Sequence, residues 1–307
     1  MARDPKGTET TLRTGSLQAY QREAAARQQH AAPRRHIAAI VRHAVLIAVA
    51  LPFVIPFYWL LISAFKTRGD LLTLPPTWWP HPWTLGNMRS AVALPEFWTY
   101  VRNTAYITIF NVVATLASSA VIAYPFARIK FKGREVLFAF VLITLILPPW
   151  TTLIPTYFLY KWIGWLGTLR PLTWPALTGN SFFIFLLRQF MMTIPHELSD
   201  AARIDGASDY RIFWNIIVPL IKPALATTAL FTFLWTYNDF FNPLIFLNDP
   251  STYTLSLGVY QFVLNHGITD IGAVMAYSLI LTIPPVVLFF FTQRTMIRGV
   301  TLSGLKL

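Results

Sequence analysis

The feature that most constrains this chain is the length of its uncharged apolar runs. Ala44–Phe65, Asn103–Ala127, Val136–Tyr160 and Ile271–Gln293 contain no Asp, Glu, Lys or Arg. Pro223–Leu247 contains one, Asp239, and Pro171–Leu187 is uncharged and continues past Arg188 to Met192. A helix that crosses the hydrocarbon core needs about 20 apolar residues. The runs therefore predict an all-α integral membrane protein with six transmembrane helices, at about 44–65, 103–127, 136–160, 171–192, 223–247 and 271–293. Arg188 is expected to snorkel to the interface. The composition agrees, with 55% hydrophobic and only 12% charged residues. The first run is long and follows 43 polar residues, so it reads as a retained span rather than a cleaved signal.

Basic residues set the expected topology. With the N-terminus inside, nineteen of the 25 Lys and Arg fall on the inner side, which puts both termini in the cytoplasm. The net charge of +12 is thus a membrane-topology and lipid-headgroup signal, with no nucleic acid implied. Residues 1–43 read as a largely disordered basic tail, helical near Ser16–Ala32. Residues 44–299 form the six-span domain, and 300–307 a cytoplasmic C-terminal tail. Trp78, Trp79, Trp83, Trp98, Tyr100, Trp162 and Trp165 lie near expected interfaces. Ser119, Ala123 and Ala127 recur every four residues and predict a close helix contact.

Several chemistries are excluded. There is no cysteine, so no disulfide, thiolate metal site or cysteine nucleophile exists. The six histidines show no helical pairing that would ligate a metal. The spans hold one acid and no histidine, which leaves no catalytic constellation for an intramembrane enzyme. No phosphate-binding loop occurs. Gly299 and Gly304 have its glycine spacing, but Leu305 follows and the segment trails a span. This chain is expected to bind no cofactor itself.

One polar stretch interrupts the apolar pattern. It is DAARIDGASDYRIFWNIIVP, Asp200–Pro219, inside the inner loop 193–222. Pro195 suits a first helical turn, and Gly206 allows the positive φ that ends a helix. Ser208 caps a second helix, and Ile212, Phe213, Ile216 and Ile217 give it an apolar stripe. The result is a cytoplasmic helix–Gly–helix elbow between residues 195 and 223. Its fixed bend suits docking on a rigid partner, and equally suits packing beneath its own bundle.

Asp200-Ala201-Ala202, then Gly206, then Ile216-x-Val218-Pro219 resembles the EAA loop of ATP-binding-cassette (ABC) importer permeases. FFIFLLRQFMMTIP (Phe182–Pro195) and WTYNDFFNPL (Trp235–Leu244) narrow the resemblance to the carbohydrate-uptake, maltose-type permeases. Asn87, Asn103 and Gln293-Arg294 agree with it. Asp200 stands where the family usually has Glu, and the terminal GVTLSGLKL departs from the usual tail. The resemblance implies a permease subunit in a bacterial or archaeal cytoplasmic membrane. It would form half of a translocation path beside a second, homologous permease. A dimer of ATP-binding subunits, carrying ATP and Mg, would supply the energy, and an extracytoplasmic sugar-binding protein would deliver the solute. Glu197, Asp200, Ala201, Ala202, Asp205, Gly206 and Pro219 would form the ATPase-coupling loop, with Ile212, Phe213 and Ile216 filling the contact. Residues Thr252–Asp270 resemble the loop that probes the binding protein.

Asp239 should face the bundle interior or a water-filled cavity, because a mid-membrane carboxylate costs about 2.5–3.5 kcal/mol. Trp235, Tyr237, Asn238 and Asn242 lie nearby in sequence. Together they offer ring faces and hydrogen bonds for a sugar path. Tyr157, Asn180 and Ser181 are weaker candidates. A structural hydrogen bond is the alternative role for Asp239. Maltodextrins, trehalose, other oligosaccharides and glycerol phosphates all remain open as solutes, as does a non-transporting structural membrane subunit.

Overall fold

The computed structural model describes residues 40–266 and 270–304, with side chains described up to residue 293. The expected helix near Ser16–Ala32 lies outside them. Among the described residues every regular element is helical.

The chain divides into two compact units, up to Trp59 and from Leu60 onward. The described part of the first is the start of α1 (Ile40–Ser63). It is apolar and exposed, with Phe53 at 73%. Such a surface is stable only in lipid or against another protein.

In the second unit, α2 (Arg68–Leu71) and α3 (Gly86–Val92) are short. They precede α4 (Phe97–Arg128), whose 32 residues span about 48 Å. Two apolar cores form at its two ends. Near its start, Phe97 and Tyr100 pack with Ala91, Leu255, Ala276 and Tyr277. Near its finish, Ala120, Ala123, Tyr124 and Ala127 pack with Leu187 and Met191. The small-residue stripe is therefore buried as the spacing predicts, with Ser119 and Ala123 fully enclosed. Tyr100, expected at an interface, lies in the first core instead, whereas Trp78, Trp79, Trp83, Trp98 and Trp162 are exposed.

The expected spans map onto helices unevenly. Among the described residues, three helices are long and apolar enough to cross a bilayer singly: α1, α4 and residues 271–293 of the last helix. The uncharged run 136–160 is two helices, α5 (Arg134–Ile146) and α6 (Pro149–Trp162), which meet at 100°. Leu147 precedes Pro148 and is extended, as the residue before a proline prefers. The run 171–192 is also divided. It contains α7 (Arg170–Thr173), a 3-10 turn (Trp174–Thr178) and α8 (Ser181–Met192). Gly179, at φ +83°, separates them, and a Cβ there would meet Ile122 at 2.8 Å. Asn180 restarts the helix, its Oδ1 accepting from Phe182 N and Phe183 N.

Beyond the elbow, α12 (Lys222–Tyr237) stops before Asp239, and α13 (Phe241–Phe246) follows. The segment 252–270, read from sequence as a loop, contains α14 (Leu255–His266). Leu257 and Phe262 bury it. The chain then enters α15 (Ile271–Gly304), which passes through Pro284 and Pro285. Asn87 and Asn103 are structural ties. Asn87 Nδ2 donates to Ala64 O and Lys66 O, and Asn103 Nδ2 donates to Ser251 O and Tyr253 O.

Candidate functional site

The elbow has the geometry that its sequence implies. Helix α9 (Glu197–Ile204) ends where Gly206 adopts φ +80°. Ala207 N closes the turn on Ala202 O at 2.9 Å, which satisfies an end carbonyl. Ser208 then caps α10 (Asp209–Ile212), accepting from Arg211 N. Phe213–Ile217 form a single π turn before α11 (Val218–Leu220). Pro219, just after it, has no N–H for the carbonyl four residues back, and a local change of register accommodates that loss. The second arm meets α12 at 76°.

The two faces of the elbow differ. Ile212 (0% exposed), Phe213 and Ile217 belong to the core at the finish of α4, and Phe213 packs on the Tyr124 ring. Ile216 is half-buried against the same core, beside Ala202. Ile212 and Phe213, expected to fill a partner contact, instead seat the elbow on its own bundle. This corrects the sequence expectation. An apolar stripe on a short helix marks a buried face but does not say which protein buries it. The opposite face carries Leu198, Ile204 (87% exposed), Tyr210 and Trp214. Sequence reading missed these four, because no helical period joins them across the bend. Glu197, Ala201, Asp205 and Pro219 are also exposed.

Charged groups hold the bend. Arg203 Nη1 bonds Asp200 Oδ1 at 2.9 Å, and its Nη2 bonds Asp209 Oδ1 at 3.0 Å, across the glycine turn. Asp209 first, and then Asp200, raise the affinity of this guanidinium for its proton. Asp200, the family's acidic position, thus braces the elbow from within. The root of the elbow is fixed by Arg128, whose Nη2 donates to Ile194 O at 2.7 Å. Arg188 was expected to snorkel. It is buried instead, donating Nε–H to Phe126 O at 3.1 Å and lying 4.0 Å over the Phe138 ring.

The second feature is a cavity of ≈ 640 Å³ bounded by α4, α6, the 171–183 segment and α12–α13. Trp235, Asp239 and Asn242 line it, as does Asn180. Tyr237 does not: it is buried and stacks on Phe233 at 5.3 Å. Asn238 is also outside and returns its amide to Leu234 O. Ser181 is spent on Thr144, and Tyr157 rests near Phe246. Asp239 sits at the break between two helices, where its carboxylate accepts from Asn242 N (3.2 Å) and Asn242 Nδ2 (2.8 Å). The local structural bond and the cavity position therefore coexist.

Sequence reading also missed the polar walls of this cavity. Thr104, Asn111 and Thr115 come from α4, and Thr232 and Thr236 from α12, which packs against it. The signal was present: Thr104, Thr108, Asn111 and Thr115 lie at helical spacing within a greasy run, and so do Thr228, Thr232 and Thr236.

Residues 116–301 match the model of a family described as "binding-protein-dependent transport system inner membrane component". The chain belongs to that family. This permease is 31% identical over 264 residues to the diacetylchitobiose uptake system permease protein DasC of Streptomyces coelicolor, covering 86% of this chain and 95% of that one. It is 33% identical to the trehalose/maltose transport system permease protein MalG of Thermococcus litoralis, with coverage of 86% and 94%. A chain in the crystal structure of a bacterial ABC transporter that imports the acidic polysaccharide alginate matches with a TM-score of 0.75. It is 23% identical and covers 84% of the permease and 96% of itself. The permease is a transport component rather than an enzyme, and its fold is that of ABC importer permeases.

Proposed function

We propose that this permease forms half of the translocation path of an ABC importer for a di- or oligosaccharide. The elbow between residues 195 and 223 couples it to a separate ATPase dimer, which binds the ATP and Mg. A second, homologous permease completes the path, and an extracytoplasmic sugar-binding protein delivers the solute. The charge bias of the loops supports six spans with both termini cytoplasmic, an arrangement that puts the elbow on the ATPase side. The sugar-uptake names of relatives above 30% identity support the solute class.

The observation that carries the coupling role is the two-faced elbow. One face is sealed into the core that joins α4 and α8, so a push on it moves those helices. The other exposes Leu198, Ile204, Tyr210 and Trp214, too much apolar surface for a lone cytoplasmic loop. Gly206 has open space around its absent Cβ but holds a φ that L-residues avoid. In the reconstituted importer, Gly206→Val is expected to leave the complex assembled and to cut ATP-driven sugar uptake at least tenfold, with ATP hydrolysis continuing. Normal uptake by that variant would refute the coupling role.

A further inference from the structure

We infer that this chain's share of the transport cavity is built for an uncharged, hydroxyl-rich solute and against one carrying carboxylate or phosphate groups. This deepens the carbohydrate reading and rests on it. The lining holds eight threonines and three asparagines, with Asp239 as its single carboxylic acid and no Lys, Arg or His. Trp235, Tyr160, Phe183 and Phe246 add aromatic rings to the lining. An anion entering this half meets a carboxylate and no cation, in surroundings where charge interactions are stronger than in water.

The direction of the hydrogen bonds points the same way. Asn111 donates its amide to Leu172 O at 2.8 Å, and its Oδ1, though buried, has no hydrogen-bond partner among the described residues. Thr232 is 5% exposed, and its Oγ1 likewise lacks a partner. Both residues line the cavity. Both atoms are themselves enclosed by the protein, so they show a polar wall whose inner layer is not fully paired within this chain. The Asp239 carboxylate can only accept. Threonine hydroxyls and asparagine amides both donate and accept, and sugar hydroxyls, which do the same, can pair with them in either direction. A carboxylate or phosphate could accept from the same threonine hydroxyls, but it would meet Asp239 with no Lys, Arg or His in the lining to offset it. The acidic polysaccharide moved by the alginate transporter is the class this wall is least fitted to hold.

The test uses the purified complex of both permeases and the ATPase in nanodiscs. Binding is measured by titration calorimetry against neutral di- to pentasaccharides, each paired with its derivative oxidised at a primary alcohol to the uronate. The expected result is at least tenfold tighter binding of the neutral member. Asp239→Asn should narrow that gap threefold or more, and Thr232→Val should weaken the neutral sugar about fivefold. Equal binding of neutral and uronate sugars overturns the inference and leaves the carbohydrate reading standing. An unchanged gap in Asp239→Asn, or unchanged neutral binding in Thr232→Val, also overturns it. Binding of no sugar in the panel overturns the carbohydrate reading and the inference together.

Discussion

The elbow and the cavity are both built on α4, the elbow at its finish and the cavity along its earlier turns, but they treat polar groups differently. At the elbow, charge is spent on shape. Arg203 is shared between Asp200 and Asp209, Ser208 caps a helix, and Arg128 ties the root to Ile194 O. What remains for a partner includes an apolar set, Leu198, Ile204, Tyr210 and Trp214, beside the exposed Glu197 and Asp205. In the cavity the helices spend their apolar surface on each other and leave hydroxyl and amide groups incomplete, Thr232 Oγ1 and Asn111 Oδ1 among them. A lever must be stiff before its partner arrives, so its charged groups are paired within the chain, although Ser199 Oγ and Arg128 Nε are buried with no hydrogen-bond partner among the described residues. A path must hold solute briefly, so its walls carry hydroxyl and amide side chains rather than ion pairs. The difference separates the part that transmits force from the part that meets cargo.

The largest effect expected from breaking this contrast lies on the buried face of the elbow. Phe213→Ala removes a ring packed against Tyr124 and should cost about 3–5 kcal/mol, as other buried aromatic truncations do. Chemical unfolding in detergent would show it as a fall in the midpoint, and uptake would fail because the elbow is no longer seated. Tyr210→Ala, on the exposed face, should change stability by less than ~0.5 kcal/mol. It should nevertheless lower sugar uptake several-fold and weaken ATPase pull-down. If both variants lost only stability, the exposed face would have no partner. Next in size is Gly206→Val, where a left-handed φ imposed on an L-residue costs about 1–2 kcal/mol, without a clash, since no atom lies within 4 Å of the new Cβ. Thermal unfolding should shift by a few degrees, and the tenfold loss of uptake should exceed anything that shift explains.

In the cavity the sign should reverse. Thr232→Val replaces an unpartnered buried hydroxyl with a methyl of the same shape, and stability should hold or rise by about 1 kcal/mol. Unfolding midpoints measured without sugar would check this. A clear loss of stability would show that the hydroxyl is satisfied within the complex.

What could be read from sequence follows the same division. The elbow was legible because its determinants are local. A glycine, a capping serine and a proline stand within fourteen residues of one another, and each acts on the backbone beside it. Its orientation was not legible, since Ile212 and Ile204 are both apolar and only packing decides which turns inward. The cavity is non-local: Asn111 and Thr232 come together only when α4 meets α12. Where a helix breaks within a run was not legible for a third reason. Pro148-Pro149 breaks its run by 100°, whereas Pro284-Pro285 lies within a continuous α15. A proline pair removes two donors in either place, and the bundle around it decides whether the helix turns.

The smallest expected effect tests whether the elbow's charges are bracing or docking groups. Arg203→Gln removes two ion pairs from an exposed bend, and exposed pairs contribute about 0.2–1 kcal/mol each. Unfolding midpoints should therefore barely move. A loosened hinge would transmit less of the ATPase's motion, so uptake should fall two- to threefold while ATP hydrolysis holds. Salt offers an independent check, because the pairs are solvent-facing and screened above a few tenths molar. Wild-type coupling should weaken with salt and approach the variant's, while the variant stays nearly flat. If Arg203 instead docks on the partner, the variant should lose ATPase affinity in pull-down, and Asp200→Asn should not reproduce its effect. Under bracing, Asp200→Asn breaks one of the two pairs and should give an intermediate loss with ATPase affinity intact.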